Sequence, residues 1–214
     1  MWKRMFAAAL FGSVVLSGCS TRLEHTHAPG PKPATPATSA TPTGLPSQSK
    51  QQAVALSAEN VRVTFIGTAG PTSHEGSFDK LSGEWQLPTD NPKDSRLAIR
   101  IETASVHTQI GLLTAHLKRE DFFDVKQYPT ATFTSTQIVP EPGADGATHR
   151  VSGEFTIHGV TKALSFPARV SVTADAVTLD ARFTISQTAF GMTTAAEKAK
   201  DEVPITVSVN ASRR

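Results

Sequence analysis

The strongest constraint on this chain is a two-residue alternation of apolar and polar side chains that returns again and again after about residue 53. Val177, Leu179, Ala181, Phe183 and Ile185 alternate with Thr178, Asp180, Arg182 and Thr184. Val203, Ile205, Val207 and Val209 alternate with Pro204, Thr206, Ser208 and Asn210. Shorter runs of the same kind are Val61-Arg62-Val63-Thr64-Phe65, Leu97 to Ile101, and Val151 to Ile157. An extended strand points successive side chains to opposite faces, so this period buries one face and wets the other. The pattern predicts half-buried antiparallel sheet. Turn-forming residues separate the runs at Gly70-Pro71, Thr89-Asp90-Asn91-Pro92, Pro140 to Gly146, and Gly159.

One segment departs from the period. Ile110 to Phe123 reads IGLLTAHLKREDFF, with Leu112, Leu113, His116, Leu117 and Glu120 at helical spacing. A short helix is predicted there, followed by a Tyr128-Pro129 turn into a strand over Ala131–Ile138. Many strands with one helix predict an all-β barrel or sandwich. A barrel of about eight strands is either filled by its own side chains or holds one small ligand.

The N-terminal residues read as an address. Lys3 and Arg4 precede a short apolar core, Met5 to Leu16. It is shorter than the about 20 apolar residues that a membrane-spanning helix needs. Residues 1–18 are therefore expected to be a secretory signal peptide. Leu16-Ser17-Gly18-Cys19 resembles a bacterial lipobox, and Cys19 is the only cysteine. The expected product carries a diacylglycerol thioether on Cys19, which becomes the first residue; each buried methylene of such a chain adds roughly 0.8 kcal/mol of membrane affinity. Ser20 in place of Asp suits outer-membrane sorting, so the expected location is the bacterial envelope, at the periplasmic face of the outer membrane. From 19 to 52 the chain is rich in Pro, Ala, Thr and Ser, and it reads as a disordered tether. His25 and His27 within it read as solvated linker residues. The remainder, 53–214, is expected to be one domain. Removing residues 1–18 takes away Lys3 and Arg4 and no acid, so the formal charge of +2 falls to zero. That balance gives no nucleic-acid footprint. A single cysteine allows no intrachain disulfide and no cysteine-based zinc site.

The stretch HLKREDFFDVKQYPTATF, His116 to Phe133, concentrates reactive side chains. Asp121 and Asp124 would share a helical face. No serine or cysteine nucleophile with a paired base accompanies them. His107, His116 and His158 are scattered over different elements, and His116 is poorly aligned with Asp121 on a helix. The stretch therefore reads as structural. Phe122 and Phe123 bury a helix end, and Asp121 and Asp124 hold a turn by accepting backbone N–H groups. No catalytic residue, metal site or cofactor is expected. Periodicity alone does not say whether the inward apolar face is solid core or the wall of a cavity.

Several motifs carry a family resemblance. They are Ala104-Ser105-Val106-His107-Thr108; His116-Leu117-Lys118 with Asp121-Phe122-Phe123-Asp124-Val125 and Tyr128-Pro129; Thr132 to Thr136; Gly153-Glu154-Phe155-Thr156-Ile157-His158-Gly159-Val160-Thr161-Lys162; and Phe190-Gly191 with Asp201-Glu202-Val203-Pro204-Ile205. In this order they resemble the YceI-like family of secreted bacterial lipid-binding proteins. Thr114-Ala115 departs from the Arg-Asp that members often carry, and the match is loose from Asn60 to Trp85.

The resemblance implies an extended antiparallel lipocalin-like barrel whose apolar interior takes polyisoprenoids or other long-chain amphiphiles. It turns the inward face into an expected cavity wall. The candidate lining is Val63, Phe65, Ile99, Ile101, Phe122, Phe133, Phe155, Ile157, Phe166, Phe183 and Ile185. The expected function is a membrane-anchored binding protein, not an enzyme, holding a polyisoprenoid, quinone or fatty-acid-like chain. The alternatives are an envelope interaction or stress module with a filled barrel, and a lipid or ester hydrolase. A homodimer is left open.

Overall fold

The structure is a computed structural model and describes residues 51–88, 94–192 and 199–213. The expected signal peptide, Cys19, the tether with His25 and His27, and the Thr89–Pro92 turn lie outside the described residues. The described chain forms strands β1 (Gln51–Ser57), β2 (Val61–Ala69), β3 (Thr72–Phe78), β4 (Leu81–Pro88), β5 (Arg96–Glu102) and β6 (Val106–Thr108). Helix α1 (Gly111–Leu117) follows, then β7 (Thr130–Pro140), β8 (His149–Ile157), β9 (Val160–Val172), β10 (Ala176–Ser186) and β11 (Glu202–Ser212). All pair antiparallel in one sheet, in the order β1-β4-β5-β7-β8-β9-β10-β11-β2-β3-β6. The sheet curls, so that β2 and β3 share one interior with β5 and β7.

The class is the all-β curled barrel expected, with eleven strands in place of about eight. The additional strands have weak alternation. β3 reads TSHEGSF and turns Gly76 inward instead of a large apolar side chain. The Phe65 ring fills that space, since a Cβ on Gly76 would lie 2.3 Å from Phe65 Cζ. Strand β1 begins at Gln51, two residues inside the expected tether, and buries Val54 and Leu56. The central strands follow their sequence period closely, as β2 does with Val61, Val63 and Phe65 buried. In β7 the register shifts between Ser135 and Gln137, which carries the inward face from Ser135 to Ile138. Ser135 is buried there because its Oγ accepts the Leu97 N–H at 2.8 Å.

The helix is shorter than the periodicity predicts. It ends at Leu117, and bonds from Phe123 N–H to the Leu117 carbonyl (3.0 Å) and from Tyr128 N–H to the Asp124 carbonyl (2.8 Å) hold the chain beyond it. A continued helix would aim the adjacent Phe122 and Phe123 about 100° apart. The turns instead bring both to the interior, with Asp124 at φ 40°. At the β8–β9 hairpin the two-residue turn His158-Gly159 has φ 53° and 73°. Both values are positive, as a type I′ turn requires.

The interior has two parts. Toward one end Trp85, Val151, Val177 and Ala211 are fully enclosed, with 0% exposure, and form a solid core. Toward the other end the inward side chains surround open space.

Candidate functional site

The open space is a cavity of about 200 Å³ lined almost entirely by carbon. Along β2 its wall runs from Val63 to Ala69, a rise of about 20 Å at ~3.3 Å per residue. The volume is below the about 300–1,000 Å³ of sites for drug-sized ligands, and the lining extends along the strand as a channel wall. Its blind end abuts the packed pairs Leu179–Val209 and Val177–Ala211. Past that boundary Val207, opposite Ala181, and the β10–β11 pairs Phe183–Ile205 and Ile185–Val203 line the channel.

The burial pattern distinguishes this end from ordinary core. Phe133, Phe155, Phe183, Val203, Ile205 and Val207 all point inward and pack on the buried cluster, yet each is only partly buried. Their accessible surface faces the channel. A close-packed interior would leave no such surface.

All eleven candidate lining residues border this cavity: Val63, Phe65, Ile99, Ile101, Phe122, Phe133, Phe155, Ile157, Phe166, Phe183 and Ile185. The aromatic rings form two groups. Phe166 stacks on Phe183 at 4.3 Å between centroids, with Phe133 next to Phe166 at 5.7 Å. Phe65, Phe78 and Phe123 form a second cluster with centroids 5.6–6.1 Å apart. Sequence reasoning missed Phe78 and Phe123 as lining. Phe78 stands alone in a polar strand, and Phe123 lies in a turn where no period operates. It also missed Leu113 and Leu117, the α1 residues that close one side. Their i, i+4 spacing was the available signal.

Polar groups gather toward α1 and the ends of β2 and β10: Thr68, His74, Thr108, Gln187 and Lys200. Gln187 is buried and donates from Nε2 to the Lys200 carbonyl at 2.8 Å. Asp201 accepts the Thr188 N–H at 2.8 Å. Hydrogen bonds from the Ser186 hydroxyl and from Thr188 hold the Asp201 carboxyl below its ordinary value. These bonds brace the β10–β11 connection beside the channel.

The reactive side chains of the DFFD region do not converge. Asp124 holds its turn as expected, its Oδ1 facing the Gln127 N–H at 3.4 Å. Asp121 faces His116 Nε2 at 3.8 Å, across the early end of α1. His107 lies at the β3–β6 edge with Asp79 at 3.0 Å. His158 packs on Tyr128, 4.6 Å between centroids. Among the described residues no group of three or more His, Cys, Asp or Glu is placed to hold a metal ion.

Comparison with known proteins places this geometry. The YceI-like domain model matches residues 55–211. A UPF0312 protein of Pectobacterium carotovorum subsp. carotovorum (strain PC1) is 30% identical over 145 residues, covering 65% of this chain and 73% of that protein. Burkholderia cenocepacia BcnA superposes with a TM-score of 0.63 at 26% identity, covering 71% of this chain and 96% of BcnA. A polyisoprenoid binding domain from Saccharophagus degradans implicated in plant cell wall breakdown has a TM-score of 0.59 at 15% identity, over 76% and 99% of the two chains; at that identity the likeness is one of fold. The chain carries a YceI-like domain over most of its length and belongs to the YceI-like family.

Proposed function

We propose that this protein binds the apolar tail of a long-chain lipid, a polyisoprenoid, quinone or fatty-acid-like molecule, in the channel of its curled sheet. The observation that carries the reading is the ring of inward aromatic and aliphatic side chains whose exposed surface faces a narrow apolar cavity. Burial of a chain there would contribute about 25 cal/mol per Å² of apolar surface removed from water, less the cost of ordering the ligand. The polyisoprenoid binding of the Saccharophagus degradans domain, which shares the fold, supports the ligand class. The reading assigns binding: among the described residues that line the channel, no nucleophile stands with a paired base. The lipobox-like Leu16–Cys19 further supports a lipid anchor, with the domain tethered at the periplasmic face of the outer membrane.

Equilibrium titration with fluorescent alcohols of increasing chain length tests the binding. The expected result is one saturable site whose affinity rises with chain length. Equal, weak affinity for short and long chains would count against it.

A further inference from the structure

Helix α1 has two apolar faces. Leu113 and Leu117 turn inward and line the channel. On the outer side Leu112 is 84% exposed and Ile110 is 45% exposed. Single exposed apolar residues are ordinary on protein surfaces, but these two border one shallow groove, with Leu113, Ala115, His116 and Arg119 completing its wall. Leu113 belongs to both linings. One layer of side chains therefore separates the outer groove from the channel.

We propose that the outer face of α1 docks on a bilayer surface bearing anionic headgroups, and that lipid passes between membrane and channel beside this helix. The inference rests on the lipid-binding reading above. Continuity is the first argument: the exposed apolar face adjoins the channel through Leu113, where an incoming chain must leave the bilayer. Charge is the second. The ionisable groups lining the groove are Arg119 and His116, with no carboxylate among them. Asp121 lies 3.8 Å from His116, and Glu120, next to Arg119 in sequence, is exposed; neither lines the groove. Aliphatic side chains beside an arginine match a bilayer interface, where apolar groups enter the acyl boundary and cations meet headgroups. Size is the third argument. The groove is a handful of side chains, whereas a stable protein partner engages about 20–30 residues a side.

Stopped-flow transfer of a fluorescent long-chain prenol from phosphatidylethanolamine–phosphatidylglycerol vesicles to the full chain tests this. The I110S/L112S double variant should keep the wild-type melting temperature and the wild-type affinity for prenol added without vesicles. Its uptake from vesicles should slow by about tenfold, the equivalent of about 1.4 kcal/mol of lost surface affinity. Arg119→Gln should slow uptake from the anionic vesicles and leave uptake from phosphatidylcholine vesicles unchanged. Unchanged vesicle transfer in both variants, with direct binding intact, overturns the docking inference and leaves the channel reading standing. A wild-type dimer that I110S/L112S converts to monomer, with transfer unchanged, also overturns it and assigns the face to a second copy. Absence of prenol uptake by wild type from any source sinks the channel reading, and the docking inference falls with it.

Discussion

Phe183 and Trp85 are both large, apolar and inward, yet they should respond oppositely to truncation. Trp85 is fully enclosed, so Trp85→Ala should cost the about 3–5 kcal/mol typical of aromatic removal from a core. One side of Phe183 already faces empty space. Phe183→Ala should therefore cost less than about 3 kcal/mol, while weakening lipid affinity severalfold. Urea unfolding and equilibrium titration of both variants check the contrast. A Phe183→Ala variant that loses as much stability as Trp85→Ala and binds normally would mean a filled interior. A second residue sets a pH response. Burial holds the His149 imidazole below its usual value of 6.5, so the unfolded chain binds its proton more readily. Stability should be highest at neutral pH and above, and should fall as pH drops through about 6.5. His149→Gln should flatten that slope in unfolding midpoints measured from pH 8 to 5.

Ten of the eleven cavity candidates sit on strands, where the period marks the inward face, and the family resemblance made that face an expected cavity wall; Phe122 lies in the turn after α1. Phe183 and Ile185 alternate with charged and hydroxyl residues, and one face has nowhere to go but inward. Where the period fails, the reading fails too. In β3 the inward position is Gly76, whose space is taken by a ring from the neighbouring strand, so the pattern is complete only in three dimensions. The end of α1 was equally hidden. It depends on two adjacent phenylalanines both finding the interior, a tertiary demand that overrides helical spacing. His116 and Asp121 meet only because of that early end.

Among the elements, the β8–β9 hairpin depends on its turn. Gly159 sits at φ 73°, and a Cβ there would lie 2.5 Å from Tyr128 Cε1. Gly159→Ala should destabilise the fold by about 1–2 kcal/mol. Lipid affinity should hardly change, since neither Gly159 nor Tyr128 borders the channel. Thermal unfolding with a parallel binding titration separates the two effects. The β10–β11 pair should behave in the opposite way. Val207 lies at the step from solid core to channel, so Val207→Trp should fill the channel and abolish binding of long chains while the domain stays folded.

At the scale of the whole molecule, one sheet serves as both scaffold and container. The packed end supplies stability, and the open end keeps apolar surface that faces the channel among the described residues. The sequence alone did not reveal this division, since Val177 and Phe183 occupy equivalent inward positions on one strand. The proposed anchor is a property of the whole chain as well. Cys19→Ser should remove label from cells fed radioactive palmitate and shift the protein out of the outer-membrane fraction.

Native mass spectrometry of the full chain purified from bacterial envelopes decides whether the channel holds a lipid tail. The expected spectrum shows an added mass that organic solvent removes, that identifies as a prenyl or other long-chain lipid, and that is missing from Val207→Trp. A wild-type chain that carries no such mass, and stays at its own mass after incubation with long-chain prenols, quinones and fatty acids, would contradict it.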